Sequence, residues 1–343
     1  MSVNDIALKA GVSQATVSKV INNYPTVSAE SVARVRKAMR ELNYEPLSRT
    51  RRVKEKSEQV PLVALLIFPG KYFQDYRASF VKMIRSIEES LREKGMDLIM
   101  AHVSRVEDLP ASVRHRRVQG VILQGGDPGE DVLKELKDIP SVWVSSHRGQ
   151  AGNSLLGGNE DVGRVAAEYL VSCGHKRLGV INTMSEDPVL VVRCRYFQFV
   201  AENAGCQCRM YVSDSHGESW SHGEDLDMAA FEKQVDEQVS AFLADKNRPT
   251  GIFVPVDFQL AMVYRILQRR GVQIGKNLDF IGSDEEKSVL LGLYPRPATI
   301  EVGPTLIGMQ AVKELCWRME NLAGDSRLRV SVAPRLVPGE KLS

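Results

Sequence analysis

The sequence predicts an α/β protein: a small all-α unit over residues 1–46, then a two-lobed body of parallel sheets flanked by helices. Three observations predict it. Capped, amphipathic helical patterns crowd the first 46 residues. Beyond Pro61, short apolar runs alternate with helical patterns, as parallel strands covered by helices on both faces do. The remaining roughly 280 residues exceed the ~100–150 of a usual domain, so two similar lobes are expected.

Composition narrows the class. With 43% hydrophobic and 26% charged residues, the chain reads as globular rather than disordered or fibrous. No run approaches the ~20 apolar residues that span a bilayer. The opening residues are amphipathic and lack the apolar core of a signal peptide, so a cytoplasmic location is expected and no membrane partner. The five cysteines are an odd count without a secretion signal, which argues for reduced thiols. Cys206-Gln-Cys208 is too closely spaced for a usual zinc site and has no His or Cys cluster beside it, so neither metal nor cofactor is implied.

Charge is unevenly spread. Residues 1–58 carry 11 Lys/Arg against 6 Asp/Glu, while the rest carries 34 against 37. A small basic module on a mildly acidic body is the electrostatic footprint of nucleic-acid binding at one end.

In the first unit, Ser2 and Asp5 form an acidic variant of a capping box, and Ile6, Ala7 and Ala10 make a buried stripe. Gly11 ends that helix and Ser13 caps the next. Ala15, Val17, Val20 and Ile21 supply the apolar content of the second helix. Ser28 caps a third, with Val32, Val35, Met39 and Leu42 inward. Two helices joined by a tight Gly-Val-Ser turn make a helix-turn-helix, whose second helix enters a major groove. Gln14 then suits adenine, Lys19 guanine and Ala15 a thymine methyl. Ser13, Thr16, Ser18 and Asn22 are short donors suited to phosphates. The same helices also describe a three-helix bundle with no DNA partner.

The wording of the segment goes further. Asp5-Ile-Ala-Leu-Lys-Ala-Gly-Val-Ser-Gln-Ala-Thr-Val-Ser-Lys-Val-Ile-Asn22, then Val27-Ser28 and Leu42-Asn43-Tyr44-x-Pro46, resembles the LacI/GalR headpiece throughout. The resemblance implies a sequence-specific DNA-binding transcription regulator, a repressor acting on a pseudo-palindromic operator as a homodimer. It also implies that residues 47–60 form a hinge that folds on DNA and wedges its minor groove. Arg51 matches the family's Arg there, and Val53 stands where Leu is typical. Val is shorter and β-branched, so it wedges less and favours helix less.

In the body, strands are expected at 62–68, 96–101, 118–123, 141–145, 178–182, 251–256 and 278–283. Helices are expected around 77–94, 160–172, 188–204, 228–244, 257–270 and 304–322. Asn159-Glu-Asp161, Gly174-His-Lys-Arg-Leu-Gly179, Arg195 four residues before Phe199, Asp257, Gly282-Ser-Asp284, Pro297-Ala-Thr-Ile300 and Gly308 resemble the markers of a periplasmic-binding-protein type-I-like body. That resemblance implies an effector-binding and dimerisation domain over 61–343. Its first lobe covers about 61–156 and 302–323, its second about 157–301 and 324–340.

Ligands of open α/β sheets sit at the carboxyl ends of strands, where Gln124, Ser145, Asp257 and Asp284 fall. A sugar or sugar derivative needs planar polar groups for its hydroxyls and an aromatic against its ring. Arg195, Asp257 and Asp284 are the polar candidates, Phe73 and Trp220 the aromatic ones. The family pattern is broken in this pocket: Val256 replaces a usual Asn, Ser145 a common Asp, and Ser283 a common aromatic. Control by a protein partner, or no small-molecule effector, is therefore the alternative. An enzyme is not expected. Gly271-Val-Gln-Ile-Gly-Lys276 has the wrong spacing for a phosphate loop, and neither G-x-G-x-x-G nor G-x-S-x-G occurs where it would act.

Overall fold

The computed structural model describes residues 3–21, 27–42, 60–69, 78–144, 153–213, 228–321 and 328–340. The chain divides into two units, Met1–Val60 and Pro61–Ser343. In the first, α1 (Val3–Ala10), α2 (Gln14–Ile21) and α3 (Ala29–Glu41) surround one small core. Its centre is Ile6, Ala7, Ala10, Val17, Val20, Val35 and Ala38. Gly11 takes the left-handed conformation (φ +63°) that ends α1. Ser13 Oγ accepts from Thr16 N at 3.2 Å and opens α2. Ser28 is the N-cap of α3 and accepts from Ser31 N at 3.3 Å. Ala15 is exposed, and the apolar face of α2 is Val17 and Val20.

From Pro61 the body runs β1 (Leu62–Phe68), α4 (Ala78–Arg92), β2 (Asp97–His102), α5 (Ala111–Arg114), β3 (Gly120–Gly125) and α6 (Glu130–Leu136). Next come β4 (Ser141–Val144), β5 (Asn153–Gly157), α7 (Asn159–Ser172), β6 (Arg177–Asn182), α8 (Pro188–Asn203) and β7 (Gln207–Val212). The chain continues through α9 (Met228–Ala244), β8 (Gly251–Phe253), α10 (Asp257–Arg269), β9 (Asp279–Ile281), α11 (Lys287–Leu290) and β10 (Thr299–Glu301). It closes with α12 (Pro304–Glu320), β11 (Arg329–Val332) and β12 (Arg335–Val337).

Two parallel sheets result. One has the order β11-β5-β4-β3-β1-β2, the other β7-β6-β8-β9, and β10 pairs antiparallel with β12. Strand β1 shows why both faces of the first sheet are covered. Val63, Leu65 and Ile67 pack with Ile87 of α4 and Leu315 of α12. The alternate residues Ala64, Leu66 and Phe68 pack with Val113 and Trp143 on the other face. Each fully buried large apolar side chain of this kind stabilises by ~1.5–3 kcal/mol, so a continuous apolar strand fits only here. The second sheet is likewise covered, by Phe231, Phe242 and Val263 on one face and Val162, Ala166 and Phe197 on the other.

The structure differs from the expected lobe boundary at residues 324–340: the resemblance places them in the second lobe, whereas β11 pairs in parallel with β5 and so belongs to the first sheet. Residues 335–337 instead pair with β10, from Thr299↔Val337 to Glu301↔Arg335. The strand near the chain's end thus returns to the lobe that began it.

Two side chains tie the second sheet to its connections. His175 bonds Thr250 Oγ1 through Nδ1 and Asp279 Oδ2 through Nε2, each at 2.9 Å. Cys206 Sγ donates to His175 O at 3.5 Å. Burial pushes the Cys194 and Cys208 thiols up to about 12, which keeps both protonated.

Candidate DNA-reading helix and ligand site

Because Val17 and Val20 are inward, the opposite face of α2 is set by the 3.6-residue period. That face carries Gln14, Ala15, Ser18 and Lys19, all exposed, with exposed Ser13 just ahead of them. Thr16 is half-buried, and its Oγ1 lies 2.9 Å from Ser13 Oγ. Gln14 Nε2 donates to Asn4 Oδ1 at 2.8 Å, which orients the amide from α1. Six of the nine DNA-contact candidates therefore open or line one short helix. Asn22, Arg51 and Val53 lie outside the described residues.

The second lobe gathers a polar cluster at the carboxyl ends of β8 and β9. Asp187 N-caps α8, accepting from Val189 N and Leu190 N at 2.8 and 3.2 Å, with Pro188 at the first helical position. This cap sets the helix so that Leu190, Cys194, Phe197 and Ala201 face the core. Arg193 shares that face. Its Nε donates to Asn159 Oδ1 at 3.1 Å. Its Nη1 reaches Pro255 O at 2.9 Å, Ser283 Oγ at 2.8 Å and Asp284 Oδ1 at 2.9 Å. Side-chain exposure is 6% for Arg193 and 5% for Asp284, so the pair is removed from water and held by hydrogen bonds on several sides.

Arg195, the expected candidate, is exposed, and the arginine bonded to Asp284 is Arg193. Two residues of helix rotate a side chain by about 200°, so Arg195 and Arg193 stand on opposite faces. The Phe spacing does not separate them: both arginines precede a Phe by four residues, and only burial distinguishes the two, Phe197 being fully buried and Phe199 62% exposed.

Asp257 begins α10 without capping it. Its carboxylate accepts from Thr299 Oγ1 (2.9 and 2.8 Å to its two oxygens) and from Glu286 N at 3.0 Å. The side chain is wholly buried. Burial, and then the charges of Asp284 and Glu286, push its carboxyl well above the usual carboxylate range. Close approach is built in here, since a Cβ on Gly282 would meet Asp257 Oδ1 at 2.1 Å. Asp257 therefore clamps the loop after β9 to β10.

Asp284 and Glu285 both have positive φ, +97° and +51°. Non-glycine residues held there carry strain, and strain of this kind clusters at ligand clamps and switch segments. Glu285 Oε2 meets Lys82 Nζ of α4 at 3.3 Å, an ion pair between the two lobes. Gln124 is buried at the end of β3 in the first lobe. Phe73, Ser145 and Trp220 lie outside the described residues.

Residues 2–46 match the family model "Bacterial regulatory proteins, lacI family", and residues 167–340 match the "Periplasmic binding protein-like domain". The chain is similar to the HTH-type transcriptional repressor PurR of Pectobacterium carotovorum (24% identity over 98% of this chain and 95% of that protein). It is similar in the same degree to PurR of Haemophilus influenzae, strain PittEE (24%, with 98% and 97% covered). Among solved structures it resembles the transcriptional regulator CelR–cellobiose complex, with TM-score 0.65, 20% identity and 99% of each chain covered. The lac repressor dimer bound to operator and the anti-inducer ONPF gives TM-score 0.61 and 22% identity, with 99% and 98% covered. No helix among the described residues is long and apolar enough to cross a membrane.

Proposed function

Because the chain belongs to the LacI family of bacterial regulatory proteins, a helix-turn-helix domain joined to a periplasmic-binding-protein-like body, we propose that it is a cytoplasmic repressor that binds a pseudo-palindromic operator as a homodimer. The observation that carries this reading is the exposed face of α2, where Gln14, Ala15, Ser18 and Lys19 stand over buried Val17 and Val20. One such helix covers a single half-site, so two-fold pairing supplies the second. Large exposed apolar side chains support a dimer through the body: Val81 and Met100 on the first lobe, Leu291 and Tyr294 on the second.

The body senses a small molecule, a sugar or sugar derivative, in the cleft between lobes. Ligand changes the relation between lobes and so biases the dimer toward or away from DNA competence. The Lys82–Glu285 pair supports this, since it joins the two lobes and a ligand that changes their relation acts on it. Operator binding by the full chain, measured against a panel of sugars and sugar derivatives, tests it. One compound should shift the operator Kd, by roughly 5–150-fold for a typical coupling.

A specific observation favours a second reading, control by a protein partner or by none. Arg193 Nε and Nη1 are already committed to four protein acceptors. Val256, where the family has Asn, is fully buried. Operator binding unmoved by every compound would favour that reading.

A further inference from the structure

The body carries a basic edge that the proposed headpiece–operator contact does not use. The loop 114–117 reads Arg114-His-Arg-Arg117, four exposed residues with no acid among them. It lies at the amino ends of the first sheet's strands, the edge at which the chain enters the body from the linker. Gln119 N donates to Leu62 O at 2.7 Å and Asp97 N to Pro61 O at 2.8 Å, so the starts of β1, β2 and β3 are stitched together there. Arg116 Nη1 donates to Lys137 O, which brings the approach to β4 to the same edge. Exposed Lys94, at the end of α4, adds to it.

Two features separate this edge from an ordinary solvated surface. Several arginines elsewhere on the body are paired: Arg164 with Asp161 and Glu168, Arg269 with Glu232 and Asp236, and Arg335 with Glu301. Arg114, Arg117, Lys94 and Lys137 form no ion pair among the described residues, although Glu93, Asp97 and Asp138 are near in sequence. The backbone is also strained to present the loop. Arg116 closes α5 at φ +54°, a position where glycine would be unstrained. Five cations against three carboxylates, on a body whose overall charge is slightly negative, form a local positive field.

We propose that this edge, Arg114 and Arg117 above all, binds the phosphate backbone of duplex DNA and adds sequence-independent affinity to the protein's DNA binding. Guanidinium groups suit phosphate oxygens, and each neutralised phosphate adds about 0.9 to the dependence of log K on log salt. The inference rests on the DNA-binding reading and extends it to the body.

The test compares the full-length wild type with Arg114→Gln/Arg117→Gln. Each is titrated with a duplex selected from a random pool and with an unrelated duplex, between about 50 and 200 mM salt. The variant should lose about 1–2 from the salt slope and bind both duplexes roughly tenfold more weakly, with its sequence preference unchanged. Arg114→Lys/Arg117→Lys should regain most of the slope, which a merely misfolded loop would not permit. A double Gln variant with the wild-type slope, on a duplex that wild type binds, overturns the role of this edge alone. Wild type that binds neither duplex overturns the DNA-binding reading, and this inference with it.

Discussion

Arg193 and Asp284 meet at 2.9 Å across the second lobe, the one on a helix between β6 and β7, the other on the strained loop after β9. The pair joins elements 91 residues apart in sequence at the point where ligands of this architecture enter. It therefore serves as a structural bridge within the second lobe.

Removing one partner leaves the other charge buried. Arg193→Met should destabilise the body by about 3–5 kcal/mol in urea unfolding. Arg193→Met/Asp284→Leu should recover part of that loss, because no charge is then stranded. A single variant within about 1 kcal/mol of wild type would contradict a tightly desolvated pair.

Asp257 gives a pH dependence with a definite sign. Its carboxyl titrates well above the usual range when folded. A raised folded pKa favours the folded state below the unfolded pKa, and that advantage is lost as pH rises through the folded value. Asp257→Asn, which removes the charge, should therefore gain stability relative to wild type as pH is raised from 5 to 8. Urea midpoints measured across that range check this, and a constant difference would refute it.

The packing of α7 on α8 is read from Gly163. A Cβ there would lie 2.2 Å from Arg193 O and 2.7 Å from Phe197 N, both backbone atoms that cannot swing away. Gly163→Ala should cost about 1–3 kcal/mol despite the better helix propensity of Ala, because the helices must separate. A stabilised variant would show that the crossing is looser than described.

The Lys82–Glu285 pair links the lobes but is partly solvated, with side-chain exposures of 38% and 11%. Lys82→Met should change global stability by only about 0–1 kcal/mol. Hydrogen exchange at the amides of residues 284–286 should nevertheless rise, since the strained segment loses its tie to α4. Unchanged exchange there would mean that the pair does not restrain the loop.

The sequence made most of the architecture legible because period and punctuation agreed. The run 62–68 is apolar throughout and became the doubly covered β1. Gly11, Ser13 and Ser28 marked helix ends that the structure contains. The strands it missed are of another kind. β5 reads Asn-Ser-Leu-Leu-Gly, and β7 has a burial pattern that leaves three of six residues exposed, so neither carries a strong apolar period. β11 joins the first sheet rather than the second because parallel pairing with β5 is a long-range choice that no local pattern encodes. At the candidate site both expected acids lie in one buried cluster, and the arginine bonded to Asp284 stands two residues before the one the spacing suggests. Spacing to a Phe was satisfied twice, and only the buried stripe of α8 distinguishes Arg193 from Arg195. Asp257 was legible as a residue after a strand, whereas its use as an internal clamp depends on Thr299 and Gly282, far along the chain.

If α2 reads DNA, duplexes selected by the full-length protein from a random pool should be enriched in a pseudo-palindrome with half-sites related by two-fold symmetry. Lys19→Ala should then lose about 1–3 kcal/mol of binding and relax the preference at one base pair in each half-site. No enriched sequence, or a Lys19→Ala protein that selects the same sites with the same strength, would contradict that reading.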